Sequence, residues 1–299
     1  MLAADSCNSP SRKIAVTNRG LCESRVMWLT LIIVGVMLFV HWVGVITGHM
    51  FLACLGFFIY YVALNLRTSD RFRMSRFLEA VLPAIDVQGP GKDLVLNPGE
   101  NPPSAIFAMH PHGVYSITLI AAFARGGHNL RRRFAGHMAL FNLPVIREFC
   151  GLGGAFCAGE AAMKKTLDTG HQIVMCPGAL REIQQDWPIK QRPGFIRIAA
   201  EREDTLLVPC WAPDEHHLYS VWLPFGQFFQ DTVGLRYPWP IFNFGKWWLP
   251  FWPRDLGRPI RLLVGEPVEL DKDDLPGSQS RFYAAIQKLK EDSEKNKDN

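Results

Sequence analysis

The chain has 299 residues, of which 48% are hydrophobic and 20% are charged, and its formal net charge is +4. This mild positive charge suits an anionic membrane surface or an anionic cofactor, and the sequence lacks the basic-aromatic modules that bind RNA. The 7 cysteines form no Cys-x-x-Cys pair, which favours reduced thiols in a cytosol-facing domain and disfavours a metal cluster.

An uncharged apolar run occupies residues 26–66, after a segment over 1–25 that we expect to be cytosolic. One crossing of a bilayer needs only about 20 apolar residues, so the run predicts a transmembrane hairpin that breaks between His41 and His49. Basic residues flank the run on both sides, and the positive-inside rule therefore predicts that both ends face the cytosol. The alternative is a buried helical hairpin in a soluble core.

The residues that follow predict an α/β domain over 67–287 with its own core. A loop is predicted over 88–104, and a solvated, frayed tail over 288–299. The alternation of strands and helices indicates a mixed, mostly parallel sheet with flanking helices. The predicted strands are 105–109, 172–176, 205–210 and 260–265, and the predicted helices are 71–82, 114–124, 160–167 and 195–201.

The strand over 105–109 leads into His110-Pro111-His112-Gly113. In α/β sheets such strand ends are where ligands usually bind. Proline stiffens the turn and pushes His110 toward an extended conformation, and Gly113 allows backbone or ligand to approach closely. Histidines held in this way can act as general bases near neutral pH, although a histidine pair in a turn can also simply satisfy hydrogen bonds.

A second turn, from Pro177 to Glu182, follows the strand over 172–176. Its carboxylate can support a histidine on the neighbouring turn, or it can satisfy backbone N–H groups where a helix begins. Cys176 precedes this turn, and its apolar surroundings favour an inert buried thiol over a cysteine that forms an acyl-enzyme.

Five short blocks occur in the order and approximate spacing of the type-2 diacylglycerol acyltransferase family, which the chain resembles from residue 105 to residue 269. The resemblance implies a glycerolipid-acyltransferase-like fold and an endoplasmic-reticulum membrane enzyme, with lipid droplets as a second location. It implies acyl transfer from acyl-coenzyme A to diacylglycerol or, alternatively, to monoacylglycerol or a wax alcohol. The blocks are His110–Gly113, Leu143–Glu148, Pro177–Glu182, Arg192–Phe195 with Val208-Pro209, and Val264–Pro267.

Acyl transfer to an alcohol requires a base, because the pKa of the hydroxyl lies far above neutrality. We predict that His112 is this base, with His110 as the alternative, and that Glu182 holds its tautomer. No resident cofactor is expected, since acyl-coenzyme A is a co-substrate. Substrate contacts are predicted at Pro111, Gly113, Pro177, Gly178, Arg147, Arg192, Gly194 and Phe195, the arginines binding coenzyme A phosphates or pairing with neighbours such as Glu148.

Two further segments have an open interpretation. The arginines from Arg131 to Arg133 form either a solvated face or a contact for phosphates. Residues 237–252 contain eight aromatic side chains in sixteen positions, and we predict that this loop enters the cytosolic leaflet and helps to admit the lipid acceptor. The alternative for the loop is an aromatic core segment.

Two other functional classes compete with the acyltransferase. In the first, His110 and His112 bind zinc together with Glu182 or His137, and the chain is a hydrolase. In the second, the chain is a membrane or lipid-droplet scaffold without catalytic activity. The sequence is compatible with a homodimer but does not require one. The last five residues, from Lys295 to Asn299, match a cytosolic dilysine retrieval pattern, which agrees with a cytosolic carboxyl end.

Overall fold

The computed structural model describes most of the chain from residue 82 onward. The described ranges are 82–99, 101–125, 131–142, 154–178, 191–222, 242–248 and 252–295, with residues 36, 39, 42–43, 47, 51, 54–55, 150, 182–183 and 189 in addition. Backbone contacts divide the chain into one unit of residues 1–74 and 139–154 and a second unit of residues 75–138 and 155–299.

Most of the predicted membrane hairpin lies outside the described residues. Within it, Val36, Phe39 and Phe51 are helical and exposed, and Thr47 lies in a turn between helical positions. Among the described residues, no helix combines the length and the apolar character that a membrane crossing needs. The hairpin therefore stays a prediction, as does the juxtamembrane helix over 71–82, of which only the last residue is described.

Within the described residues, seven strands of the second unit form one mixed sheet in the order β1-β9-β6-β2-β5-β3-β4. The five strands from β6 to β4 are parallel, while β9 runs antiparallel to β6 and parallel to β1. The predicted α/β fold with a mostly parallel sheet is thus confirmed. The strands are β1 Ile85–Gln88, β2 Ser104–His110, β3 Arg132–Gly136, β4 Phe156–Cys157, β5 Gln172–Met175, β6 Thr205–Trp211 and β9 Ile260–Val264, and β7 Ser220–Trp222 pairs separately with β8 Phe242–Phe244.

Six α-helices lie in the described part of the chain, and four of the predicted strands and three of the predicted helices match observed elements within a few residues. The loop predicted over 88–104 is wrong in part, because it contains α1, whose Val95 is fully buried. The prediction of a solvated, frayed tail over 288–299 is wrong in part, since α6 continues to Lys295 with Leu289 buried, while residues 296–299 lie outside the described residues. The helices are α1 Lys92–Leu96, α2 Ile117–Arg125, α3 Met138–Asn142, α4 Glu160–Asp168, α5 Gly194–Ala200 and α6 Leu275–Lys295.

The core lies on both faces of the sheet, and β2 supplies both halves because side chains alternate along a strand. Ile106 and Ala108 face a cluster formed with α4, α5 and α6, whereas Phe107 and Met109 face a cluster formed with α1 and α2. Since β2 is buried on both faces, the apolar run that precedes the histidines is typical of a central parallel strand. The sheet therefore holds the end of β2 in a fixed place.

Arg132 has a structural role that neither interpretation of the arginine run predicted. It is buried, its Nη2 donates to the carbonyls of Leu94 and Val95 at 2.8 Å, and its Nε donates to Oε1 of Gln172 at 3.1 Å. Burial lowers its pKa to about 10. Its guanidinium thus joins α1 to β3 and β5, so it is neither a solvated side chain nor one that is free to bind phosphate.

Candidate active site

The candidate site lies at the edge where β5, β2 and β6 end. These strands are adjacent and parallel, so their carboxyl ends meet at one edge of the sheet. His110 is the last residue of β2, Pro177 and Gly178 follow β5, and Glu215 follows β6 in a short 3-10 helix. The register of the sheet thus gathers residues that are far apart in the sequence.

His110 and Glu182 form a buried pair at this edge. Nδ1 of His110 lies 2.9 Å from both Oε1 and Oε2 of Glu182, and the side chains are 0% and 2% exposed. In the neutral ring Nδ1 donates its proton to the carboxylate, which leaves a lone pair on Nε2. That Nε2 atom is buried and has no hydrogen-bond partner among the described residues. A buried acceptor without a partner is uncommon in folded proteins, and this makes Nε2 a candidate to accept a hydrogen bond from a ligand.

His112 has a different environment from the one that the sequence predicts. Its Nδ1 donates to the carbonyl of Gly113 at 2.7 Å, and its side chain is half-buried. Burial lowers the pKa of His112, with the Gly113 carbonyl opposing the shift. The preferred pairing of Glu182 with His112 is therefore wrong: Glu182 contacts Nδ1 of His110, which was the alternative.

Gly178 makes room for the Glu182 carboxylate. A Cβ atom built on Gly178 would overlap the carboxyl group of Glu182, so another side chain would displace that group. Pro111, Gly113 and Pro177 are buried beside these residues. The residues that were predicted to contact substrate at the two turns therefore lie close together. The structure also explains why position 178 is a glycine, because a larger side chain would occupy the place of the Glu182 carboxylate.

Glu215 is a site residue that the sequence reasoning missed. Its Oε1 and Oε2 accept from the backbone N–H groups of Ile117 and Thr118 at 2.8 Å each, where α2 begins. A Cβ atom on Gly113, whose φ is 59°, would overlap the Glu215 side chain. Burial raises the pKa of Glu215 to about 7. The sequence did contain a signal for Glu215, namely a carboxylate shortly after the end of a third buried strand. The end of that strand lies at the same edge of the sheet as the other two turns.

Cys176 has the character of an inert thiol. Burial raises its pKa well above the ordinary value, although a hydrogen bond with Ser116 opposes the shift. A raised pKa disfavours the thiolate, which is the nucleophilic form. The environment therefore supports the interpretation of a structural cysteine rather than that of an acyl-enzyme nucleophile.

The remaining predicted contacts lie in and around α5, except for Arg147, which is outside the described residues. The backbone N–H of Arg192 donates to the Tyr283 hydroxyl at 2.7 Å, and its Nη2 is buried without a hydrogen-bond partner among the described residues. Gly194 is exposed at the start of α5. Phe195 is a core residue whose ring centroid lies 5.3 Å from that of Phe282, so its observed role is packing.

The described residues offer few side chains that could bind a metal ion together. In the described part of the chain, no three His, Cys, Asp or Glu side chains are grouped so that they could hold a metal ion. His110 uses Nδ1 for Glu182, and His112 uses Nδ1 for the Gly113 carbonyl. The described ranges therefore contain no third ligand for the zinc site that the hydrolase interpretation requires.

Comparison with known proteins identifies the family. Residues 96–297 match the family model described as diacylglycerol acyltransferase. The chain belongs to the diacylglycerol acyltransferase family. This confirms the family that the five sequence blocks predicted, and the match includes every residue of the histidine turn and of the turns after β5 and β6.

Individual relatives agree with the family model. The chain is 29% identical over 196 residues to diacylglycerol O-acyltransferase 1 of Eremothecium gossypii, which covers 57% of this chain and 41% of that protein. It is 28% identical over 222 residues to diacylglycerol O-acyltransferase 2-like protein 6 of Homo sapiens, covering 62% of this chain and 64% of the relative.

A third relative carries a different acceptor in its name. Acyl-CoA wax alcohol acyltransferase 2 of Homo sapiens is 27% identical over 203 residues, covering 58% of this chain and 59% of the relative. The chain thus spans less than two thirds of the length of these relatives. No solved structure matches the chain.

Proposed function

We propose that this protein transfers a fatty acyl group from acyl-coenzyme A to the hydroxyl of a neutral lipid, with diacylglycerol as the acceptor and triacylglycerol as the product. The observation that carries the proposal is the buried pair of His110 and Glu182 at the sheet edge of a chain in the diacylglycerol acyltransferase family, in which Nε2 of His110 has no hydrogen-bond partner among the described residues. Monoacylglycerol and wax alcohol are the alternative acceptors, since one relative is named for wax alcohol.

His110 is the base in this proposal, because it is the histidine that the carboxylate supports. Nε2 accepts the hydroxyl proton of the acceptor while the hydroxyl oxygen attacks the thioester carbonyl carbon. A carbon–oxygen bond forms and the carbon–sulfur bond breaks. The proton on His110 then passes to the departing sulfur of coenzyme A. Glu182 keeps Nδ1 protonated and stabilises the imidazolium that exists between these two transfers.

Other residues of the site are candidates to stabilise the negative charges of the reacting groups. The tetrahedral oxyanion needs N–H donors, and the turns that contain Gly113 and Gly178 are the candidates. The Nη2 atom of Arg192, buried without a partner among the described residues, is a candidate contact for an anionic part of acyl-coenzyme A. We assign the same role to Arg147 on sequence grounds, and acyl-coenzyme A enters as a co-substrate.

We further propose that the enzyme works at the endoplasmic-reticulum membrane with both ends in the cytosol and reaches lipid droplets from there. The uncharged run over 26–66 supports membrane attachment, and the basic flanks support the orientation. The acceptor is itself a membrane lipid, so attachment would bring the enzyme to its substrate.

The direct test uses microsomes that contain the full chain, labelled oleoyl-coenzyme A and a panel of acceptors. We expect labelled triacylglycerol with diacylglycerol as the acceptor. Monoacylglycerol, fatty alcohol and sterol are tested in parallel, and a dominant wax ester product would assign the alternative acceptor.

The control for this test is a chain in which His110→Ala removes the proposed base. Microsomes with this variant are expected to form no labelled ester above the background of microsomes without the chain. If the unaltered chain forms no ester with any acceptor, the acyltransferase proposal is wrong. The non-catalytic scaffold then takes its place.

A further inference from the structure

Three exposed tryptophans follow β8 in the described part of the chain. Trp247, Trp248 and Trp252 are 69%, 79% and 40% exposed, and we call them the tryptophan platform. Large aromatic side chains that are exposed together mark an interaction surface. This exposure also contradicts the aromatic core segment as an account of Trp247, Trp248 and Trp252.

The tryptophan platform is built by the surrounding backbone. The N–H of Lys246 donates to the carbonyl of Trp252 at 2.8 Å, and a Cβ atom on Gly245 would overlap that carbonyl. The rings of Trp247 and Trp252 are stacked with centroids 6.5 Å apart. Trp247 and Trp248 have φ values of 54° and 63°, which are uncommon for bulky residues and arise where the surroundings impose them. Specific backbone and ring contacts therefore hold the segment that carries the platform.

The platform is connected to the histidine turn. The hydroxyl of Tyr115, two residues after Gly113, donates to Oδ1 of Asn243 in β8 at 3.2 Å. The Tyr115 ring also packs edge-on against Tyr219 with centroids 5.2 Å apart. Asn243 pairs with Val221 in the β7–β8 ladder, so Tyr115 attaches this pair of strands to the turn that follows His110.

Charge accompanies the aromatic rings. Nζ of Lys246 lies 5.0 Å from the Trp247 ring centroid, and Arg254 is exposed two positions after Trp252, with its Nη2 donating to Oγ of Ser220. One acidic side chain, Asp255, lies 3.5 Å from Lys246. Tryptophan favours the boundary between lipid headgroups and acyl chains, and cations beside it suit the headgroup phosphates. A phospholipid surface matches both features.

We propose that the tryptophan platform docks on the phospholipid surface of the membrane that supplies the acceptor, and thereby holds the His110 edge of the sheet next to that surface. This inference rests on the proposed function for the identity of the substrate but not for the docking itself. Through Tyr115 and Asn243, the surface that touches the lipid is coupled to the turn that carries the histidines.

A photocrosslinking experiment on the full chain in microsomes tests the docking. Trp248→benzoylphenylalanine places a photoreactive ring on the platform, and Leu96→benzoylphenylalanine is the matched control. Leu96 is 40% exposed and ends α1, which follows β1 at the opposite edge of the sheet. We expect phospholipid adducts at position 248 and few at position 96. Equal labelling at the two positions, or adducts with a protein at 248, would overturn the proposal.

A kinetic experiment separates docking from chemistry. With diacylglycerol in phospholipid vesicles, Trp247→Ser with Trp248→Ser is expected to raise the KM for vesicle lipid about tenfold, equivalent to about 1.4 kcal/mol, while kcat changes little. Leu96→Ser should behave like the unaltered chain. An unchanged KM in the double variant contradicts docking, whereas absence of activity in the unaltered chain contradicts the proposed function and leaves the crosslinking result standing.

Discussion

At the scale of single residues, His110 is the side chain whose environment most strongly indicates chemistry. Burying a polar atom without a hydrogen bond costs about 1–3 kcal/mol, and the Nε2 of His110 is such an atom among the described residues. The same ring is fixed by both carboxylate oxygens of Glu182. Nδ1 of His110 holds its proton against Glu182, while the lone pair of Nε2 has no hydrogen bond among the described residues. Such a ring is suited to accept a second proton from a ligand at Nε2.

The first prediction compares the two histidines. His110→Ala should lower kcat on the order of 10²- to 10⁴-fold, because it removes the proposed general base, and Glu182→Gln should also lower kcat by disturbing the tautomer. His112→Ala should cost less, since Glu182 does not support His112. Acyl-transfer rates of the three variants in microsomes measure this. A larger loss in His112→Ala than in His110→Ala would show that the assignment is reversed.

The second prediction concerns Glu215 and pH. Its pKa is raised by burial from 4.5 to about 7, so between these values the folded chain holds a proton that the unfolded chain has released. The contribution of Glu215 to the free energy of unfolding therefore falls as pH rises from about 4.5 to 7, by up to about 3 kcal/mol, and is constant above that.

Glu215→Gln cannot ionise and should reduce this decline. The measurement is the midpoint of thermal unfolding in detergent between pH 5 and pH 8, for the unaltered chain and the variant. Identical pH slopes in the two proteins would contradict a Glu215 that titrates in this range. Glu201→Gln, which replaces an exposed carboxylate, is the matched control and should keep the slope of the unaltered chain.

At the scale of elements, three turns after β5, β2 and β6 create the site. Each turn brings one part of it: Glu182 after β5, His110 at the end of β2, and Glu215 after β6. Glycines in these turns lie against carboxylates, namely Gly178 against Glu182 and Gly113 against Glu215. The site is therefore sensitive to side chains at positions that do no chemistry themselves.

The third prediction is that Gly178→Ala lowers kcat at least tenfold, because its Cβ atom must displace the Glu182 carboxylate from His110. Glu203→Ala is the control, since Glu203 is exposed in the turn that follows α5 and has no predicted part in the site. The rates of both variants are compared at saturating substrate. Full activity in Gly178→Ala would mean that the carboxylate can move without affecting the reaction.

The fourth prediction concerns α6. Leu289 is 8% exposed and belongs to the core cluster that also contains Phe282, which lies beside His110. Leu289→Ala should lower the free energy of unfolding by about 2–5 kcal/mol, the usual cost of truncating a buried leucine. Lys288→Ala, on the exposed face of the same turn, should change it by less than about 0.5 kcal/mol. Equal effects would indicate that this part of the helix does not pack.

At the scale of the whole molecule, the chain joins a long uncharged apolar sequence to an α/β unit that contains the candidate site. The uncharged run and the tryptophan platform are separate features, the former known from the sequence and the latter from exposed side chains. Both have the chemistry of a lipid-facing surface. The proposed reaction needs such a surface for its lipid acceptor, whereas the other proposed substrate, acyl-coenzyme A, carries phosphates that need an aqueous side.

The fifth prediction is the topology of the full chain. With an epitope tag at each end, protease added to sealed microsomes should remove both tags, because basic residues flank both ends of the uncharged run. A luminal marker protein must stay intact in the same sample. Protection of either tag would show that the run crosses the membrane an odd number of times or in the opposite orientation.

The sequence by itself determined the family, the α/β class, the location of β2, β5, β6 and β9, and the two turns that carry His110 and Glu182. These features depend on local patterns, namely buried strands with defined ends and short motifs in order. Short elements such as α1 and β4 escaped prediction because five or fewer residues show no clear periodicity. The end of α6 was not predicted because its sequence is largely charged and contains only two buried positions in the described part of the tail, Leu289 and Ser293.

Only the tertiary structure decided which histidine pairs with Glu182, why Gly178 is a glycine, what Arg132 does and that Glu215 belongs to the site. Each of these depends on contacts between residues that are distant in the sequence, such as His110 and Glu182, which are 72 positions apart. The register of parallel strands sets those contacts, and a shift of one residue moves every side chain to the other face. Local sequence patterns can therefore predict which turns lie close together. The register of the sheet determines which atoms are in contact.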